Sequence, residues 1–361
     1  MSERDSKLKV VVVGAGHMGA SHARAYRQLN GFELAAIVAP SSSRRTPLAK
    51  ELGNIAEFAA LDDALKNIDA DVVSINSYPD THYSYAMQSL EHGAHLFMEK
   101  PIAETVEQAR EIVALANKKN LKVVVGYILR QHPAWMEFIN IARTLGKPLV
   151  MRMNLNQQSS GTQWETHKQL MKSMSPIVDC GVHYVDVMCQ MTRSEPLQVQ
   201  AIGARLSDEI ADDMYNYGNL QVRFADGSIG WYEAGWGPMM SETAFFVKDV
   251  IGPKGCVSIV DPNKLAKTDS SEIDGHTKTN SLLVHKAERT ADGTFTKPDQ
   301  IIDTHDEPDH QGLCTREQIF LYETIMNNRD LTDHLNDAIN SLRIVLAADE
   351  SVRTGKIITL S

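Results

Sequence analysis

Val10-Val-Val-Val-Gly14-Ala-Gly16-His17-Met18-Gly19 lies near the start of the chain, and its reading decides the fold. Four uncharged β-branched residues run into three glycines spaced G-x-G-x-x-G, and a helix-like segment from His17 to Leu29 follows at once. The order is strand, tight turn, helix. Gly14 allows the turn, Gly16 lets a pyrophosphate approach the backbone, and Gly19 lets the helix lie close on the strand. Phosphates would then meet the N–H groups of this turn, those of His17 and Met18 included, at the positive end of the helix. Glycines at this spacing also occur in ordinary strand-helix turns. Its place in the first strand of a long α/β chain is what gives the motif its meaning.

The 361 residues suffice for two domains, each with its own core, and an apolar fraction of 43% with 23% charged residues is that of a globular protein. A formal net charge of -10, without a basic run beyond pairs such as Arg44-Arg45 and Lys118-Lys119, argues against nucleic acid as a partner. No apolar stretch approaches the length of a membrane span, and Met1 to Lys9 is polar with no hydrophobic signal region behind it. A cytoplasmic protein without membrane partners is expected. Cys180, Cys189, Cys256 and Cys314 show no C-x-x-C spacing and read as reduced structural thiols.

Beyond the glycine turn the pattern alternates. Strands are expected at Glu33 to Ala39, Asp71 to Ile75, His95 to Met98 and Lys122 to Val125. Helices are expected near Pro47 to Leu52, Asp62 to Lys66, Thr81 to Glu91 and Ala103 to Lys119. This rhythm predicts a parallel, doubly wound α/β sheet of the Rossmann type over residues 1–128. From about Pro148 it changes. Leu149 to Leu155, Leu197 to Ala204, Leu220 to Phe224, Ser228 to Glu233, Ala244 to Val250 and Val257 to Val260 read as strands. Several are joined by turns such as Ala225-Asp-Gly227 and Gly252-Pro-Lys-Gly255, which imply antiparallel pairing. One helix is expected over Ile177 to Met191 and two more near Glu317 to Met326 and Leu335 to Thr354. Residues 129–361 are therefore an α+β domain with a large, mostly antiparallel open sheet. Asp261 to Asp309 is polar and turn-rich.

An acidic residue at the end of the second strand of such a unit bonds both ribose hydroxyls and selects NAD. Here Ala39-Pro40-Ser41-Ser42-Ser43-Arg44-Arg45 has no carboxylate, and its hydroxyls and guanidinium groups suit a 2′-phosphate. The loop favours NADP over NAD, the alternative being that Arg44 and Arg45 only open the next helix. Glu99-Lys100-Pro101 follows a strand directly and places Lys100 at the carboxyl edge of the sheet, where open α/β folds bind ligands. In Asp179-Cys-Gly181-Val-His183 the acid and the imidazole are four apart and share a helical face. That pairing suits a general base, a surface hydrogen bond or half a metal site.

Taken together, Gly14-x-Gly16-x-x-Gly19 with His22 beyond it, Glu99-Lys100-Pro101, Gly126-Tyr-Ile-Leu-Arg130-Gln-His-Pro133, Asp179-x-Gly181-x-His183 and a closing Ala-rich helix before Gly355 resemble the glucose-fructose oxidoreductase/inositol dehydrogenase (Gfo/Idh/MocA) family. The elements stand in the family's order across nearly the whole chain. The resemblance implies NAD(P)-dependent oxidation of a secondary hydroxyl on a sugar, polyol or cyclitol, and an open sheet that mediates homodimers or homotetramers. It implies that Lys100 hydrogen-bonds the reacting hydroxyl, that His183 accepts its proton, and that Asp179 partners His183 or binds substrate. By the same resemblance Ser77, His82, Glu99, Lys100 and Arg130 fall at positions expected to face the cofactor. Tyr127 and Arg130 fall at the domain junction, where Tyr127 is expected to contact substrate, and Trp164 and His167 fall in a loop similar to the family's substrate-facing one, with Trp164 expected to bind substrate.

Two departures stand out. Met174-Ser175-Pro176 replaces the family's frequent glycine pair before the D-x-G-x-H element, and Ser77-Tyr-Pro-Asp-Thr-His82 replaces the usual T-P-N-x-x-H. Tyr232, Glu233 and Trp236 line either a sugar site or a subunit interface. His305-Asp306-Glu-Pro-Asp309-His310 carries metal-type ligands, but its spacing matches no named site and Pro308 makes it a loop, so a hydrated loop or helix cap is expected and no metal is assigned. Two other functions remain open at this level. One is a hydrolase or eliminase with a tightly bound nicotinamide that oxidises a glycoside transiently. The other is a cofactor-sensing binding protein, which would not need Lys100 and His183.

Overall fold

The computed structural model describes residues 7–241, 247–260 and 277–360. The chain divides into two compact units, Met1–Gln131 with Pro308–Ile339, and His132–Glu307 with Asn340–Ser361.

In the first unit six strands form one sheet in the order β3-β2-β1-β4-β5-β6, every pairing parallel. They are β1 (Leu8–Val13), β2 (Phe32–Val38), β3 (Ala56–Phe58), β4 (Val72–Ile75), β5 (His95–Glu99) and β6 (Val123–Gly126). Val10, Val11 and Val12 are fully buried, as a central strand covered on both faces requires. Each such side chain contributes about 1.5–3 kcal/mol relative to its exposed state. Strand order reverses between β1 and β4, and the crevice at that point is where such sheets take ligands. Helices His17–Gln28, Ser42–Glu51, Leu61–Asn67, His82–His92 and Val106–Lys119 connect the strands. Val106–Lys119 starts where Thr105 Oγ1 accepts the Gln108 N–H at 3.2 Å and stops at Asn120, whose φ of +54° ends the helix.

The late helix His310–Met326 also belongs to this unit. Asp309 caps it, Oδ1 accepting the Gly312 N–H at 2.8 Å, and the helix packs on His17–Gln28. Sequence alone suggested one boundary at 128/129 and a helix from Glu317. The helix starts seven residues earlier, and its buried stripe of Leu313, Cys314, Glu317 and Leu321 is spent on the helix after the glycine turn, which returns residues 308–339 to the first unit.

The second unit is built on nine strands in the order β14-β13-β12-β11-β7-β10-β9-β8-β15. These are β7 (Val150–Gln158), β8 (Pro196–Ala204), β9 (Tyr217–Phe224), β10 (Ile229–Gly237), β11 (Lys248–Gly252), β12 (Gly255–Val260), β13 (Ser281–Lys286), β14 (Gln300–Asp303) and β15 (Ile358–Thr359). The expected turns do make antiparallel pairs, β9 with β10 and β11 with β12. At the centre β7 and β10 are parallel, Val150 opposite Ile229, a pairing of strands too distant in sequence for a turn to announce. Helices Pro133–Thr144, Gly161–Leu170, Pro176–Asp179 and Gly181–Thr192 cover one face. A groove on the sheet is lined by Arg152, Gln200, Gln221 and Trp231.

Several elements differ from expectation. The helix expected over Ile177 to Met191 is broken at Cys180. Helix Pro133–Thr144 was not anticipated, and Trp164 and His167 sit on a helix rather than in a loop. Strands β13 and β14 lie within the turn-rich 261–309 stretch, of which 261–276 fall outside the described residues. The strand expected at Ala244 to Val250 is seen as Lys248–Gly252, with 242–246 outside the described residues.

Candidate active site

Two of the three glycines are forced by backbone contacts. Gly14 has φ +103°, and a methyl there would run into the Asn76 carbonyl; a methyl on Gly19 would overlap the Gly14 carbonyl. Gly16 differs, since a methyl there meets nothing within 4 Å. It is the N-cap of His17–Gln28 and offers no side-chain cap, so the first N–H groups of that helix are left to a ligand. Close packing at Gly14 and Gly19 with open space at Gly16 fits a dinucleotide pyrophosphate.

At the end of β2, Ser41, Ser42 and Arg44 are exposed. Arg45 has a different part: its Nη1 donates to the carbonyls of Ala39 and Pro40, both at 2.8 Å, and its Nε lies 3.4 Å from Glu57. The guanidinium braces the loop it was expected to offer to a phosphate, leaving Arg44 as the outward cation.

Beyond β4, Ser77 Oγ pairs with Thr81 Oγ1 at 2.6 Å. His82 is fully buried, its Nδ1 2.8 Å from the Pro101 carbonyl and its Nε2 3.0 Å from the Ser77 carbonyl. Burial lowers its pKa against the pull of those two carbonyls. His82 thus ties the turn after β4 to the segment after β5, with both ring nitrogens set against backbone carbonyls. Glu99 is likewise buried. Its Oε1 lies 3.0 Å from His22 Nε2 and its Oε2 accepts the Lys100 N–H at 3.3 Å. Burial would push this carboxyl up, but the bond and charge of His22, and Lys100, hold it below its usual value. Lys100 itself is half-buried at the sheet edge. Tyr127 is buried, with the Arg130 guanidinium over its ring at 4.7 Å and Arg130 Nη1 donating to the His334 carbonyl at 3.0 Å, so both brace the end of β6.

In the second unit Asp179 ends one short helix and His183 lies in the first turn of the next. Both are half-buried while Val182, Val185 and Met188 between and beyond them are fully buried, so the polar pair takes the open side. Gly181 is required because a Cβ there would stand 2.8 Å from the Tyr232 ring. Ser175 replaces a glycine entry: its Oγ accepts the Val178 N–H at 3.2 Å and donates to Asp349 at 2.7 Å. His167 stacks on Trp236 at 4.4 Å, with Nδ1 3.0 Å from Ser159 Oγ. Burial lowers it to about 4, with the Asp179 charge acting the other way. Gln157, opposite Trp236 in the ladder, accepts from its indole N–H at 2.7 Å. Trp164 joins Trp236, Met171 and Ile210 in a buried cluster and donates to Glu209 at 3.2 Å, so it serves the core rather than a sugar face. Glu233 holds Asn156 at 2.9 Å on the other side of the sheet from Tyr232 and Trp236.

Sequence reading missed Gln157 and the buried Lys248, which stands over the Tyr184 ring and is lowered to about 7 by burial. It also missed the stripe His310, Cys314, Glu317, whose i, i+4, i+7 spacing was the available signal. Burial and then the charge of Glu99 push Glu317 well above its ordinary value.

A parallel sheet carrying this glycine turn at its switch point defines a dinucleotide-binding fold. Residues 8–127 match the family described as "Oxidoreductase family, NAD-binding Rossmann fold", and residues 141–256 match the "GFO/IDH/MocA C-terminal domain". The chain belongs to the Gfo/Idh/MocA family. It is 27% identical over 205 residues to a UDP-N-acetylglucosamine 3-dehydrogenase of Acidithiobacillus ferrooxidans, covering 57% of this chain and 61% of that one. The chain thus spans less than two thirds of that relative's length. It is 23% identical over 279 residues to an inositol 2-dehydrogenase of Klebsiella pneumoniae, covering 74% and 78%. A crystal structure of an NAD binding oxidoreductase from Klebsiella pneumoniae has the same fold, with a TM-score of 0.78 at 19% identity over 98% of this chain and 99% of that one.

Proposed function

We propose that the protein is an NAD(P)-dependent dehydrogenase acting on a secondary hydroxyl of a sugar, polyol or cyclitol, with Lys100, Asp179 and His183 as catalytic groups. The position of Lys100 carries this reading: it follows β5 directly at the carboxyl edge of a sheet whose glycine turn is shaped for a pyrophosphate. Lys100 hydrogen-bonds the hydroxyl and stabilises the alkoxide that develops on it. His183 takes the proton, and Asp179, four residues earlier, orients the imidazole or binds the substrate. The bound nicotinamide supplies the hydride acceptor. Relatives named as dehydrogenases of a nucleotide sugar and of inositol support the substrate class.

NADP is the proposed cofactor over NAD, because β2 ends without a carboxylate and with Ser41, Ser42 and Arg44 exposed. A homodimer or homotetramer joined through the sheet is proposed, as is a cytoplasmic setting. No described helix is long and apolar enough to cross a membrane. The test is the absorbance of reduced nicotinamide when the purified protein meets NAD or NADP with a panel of inositols, aldoses and glycosides. Signal with one sugar class establishes the dehydrogenase. Silence across the panel rejects it.

A further inference from the structure

The helix His310–Met326 presents His310, Cys314, Glu317 and Gln318 at i, i+4, i+7 and i+8, one stripe of its surface. Cys314, Glu317 and Gln318 are buried, and so is His22 on the helix they meet. One ligand-type atom each from His22, Cys314 and Glu317 lie within 4.8 Å of one another. His310 Nε2 is 3.5 Å from Cys314 Sγ. Two ligands of a tetrahedral zinc ion, one sulfur and one nitrogen, stand about 3.6 Å apart. Neither oxygen of the Glu317 carboxyl has a hydrogen-bond partner among the described residues. A buried carboxyl left in that condition costs free energy and points to an ion or water that satisfies it.

We propose that His22, Cys314 and Glu317, with His310 as fourth ligand, form a buried site for one divalent transition-metal cation of the zinc class. Thiolate, imidazole and carboxylate together suit zinc or cobalt and not the hard cations magnesium and calcium. Glu99 supplies the outer support such a site needs: it holds His22 Nε2 at 3.0 Å and leaves Nδ1 to bind the ion. Nδ1 faces Gln318 Nε2 at 2.9 Å, so binding turns the Gln318 amide away. Cys314 and Glu317 bind as thiolate and carboxylate, so uptake of the cation is coupled to release of any proton they carry. Half-buried His310 gives the ion a way in. The ion cross-links His17–Gln28 to His310–Met326 and takes no part in hydride transfer, so the inference is independent of the proposed activity.

Cobalt tests it. Chelator-treated full-length protein titrated with Co2+ is expected to develop tetrahedral visible absorption and a thiolate-to-cobalt charge-transfer band, saturating near about one equivalent and displaced by Zn2+. Cys314→Ser removes the charge-transfer band, and Glu317→Gln weakens binding by about tenfold or more. Wild-type protein without the band, in which water or a proton satisfies Glu317, overturns the site. A band that survives in Cys314→Ser overturns it too, since the thiolate then belongs to another cysteine. The wild-type titration decides the matter even where a variant fails to fold.

Discussion

His22 Nε2 and Glu99 Oε1 lie 3.0 Å apart across 77 residues of sequence, joining the helix after the glycine turn to the residue before Lys100. The other Glu99 oxygen holds the Lys100 N–H. A carboxylate lowered in the folded protein stabilises it above the ordinary glutamate pKa, and that contribution is lost as pH falls through the folded value. Glu99→Gln keeps the shape and removes the charge. It is expected to lower kcat with little change in cofactor affinity, and to flatten the acid side of the stability profile. An unchanged kcat would show that the clamp does not position Lys100.

Gly19→Ala places a methyl on the Gly14 carbonyl. Neither group is a flexible side-chain end, so the turn itself must move. A loss of about 2 kcal/mol in stability is expected, together with weakened nucleotide binding, read by thermal melting with and without cofactor.

Lys100→Met and His183→Ala should each reduce turnover by a factor on the order of a hundred or more while cofactor binding persists. Steady-state rates and cofactor titration check both. Near-normal turnover in either variant removes it from the chemistry.

Arg44→Ala should weaken NADP by about tenfold or more and leave NAD nearly unchanged, since a charge-assisted contact to phosphate is lost. Arg45→Ala should instead weaken both, because its guanidinium holds the Ala39 and Pro40 carbonyls. Equal losses for the two cofactors in Arg44→Ala would place that side chain away from the 2′-phosphate.

His167, at about 4 in the folded protein against 6.5 in the open chain, refuses a proton that the unfolded chain accepts. Stability is therefore full above about pH 6.5 and falls as pH drops towards 4, by about 3 kcal/mol from this group. His167→Gln retains a partner for Ser159 and removes the titration. Its melting temperature should vary less than the wild type's over that window, and parallel curves would locate the acid sensitivity elsewhere.

The first unit was legible because its signals are local. Four valines, three glycines and alternating helices state a parallel sheet within short windows of sequence. The same was true of Lys100, fixed by the end of a strand. What stayed hidden depends on distant partners. Arg45 looks like a phosphate ligand until the carbonyls it binds are seen, and His82 and Arg130 look exposed until their acceptors are. Trp164 shows no sign in its neighbours that Trp236 and Ile210 will cover it. Helix His310–Met326 has polar residues on its buried face, so an apolar pattern was a poor guide to its start and to the unit it joins.

The parallel seam between β7 and β10 bears on how the second unit assembles. On either side of it the strands are joined largely to sequence neighbours: β8, β9 and β10 form one meander, β11 to β14 another. Hairpins of that kind close within microseconds, whereas a parallel pair separated by most of a domain must first gather a long loop. The two meanders are therefore expected to form before β7 is bracketed between β10 and β11, with that closure the slow step of folding. Until it happens the inner edges of both halves stand open to pairing with other chains, the interval in which a newly made molecule is most exposed to aggregation.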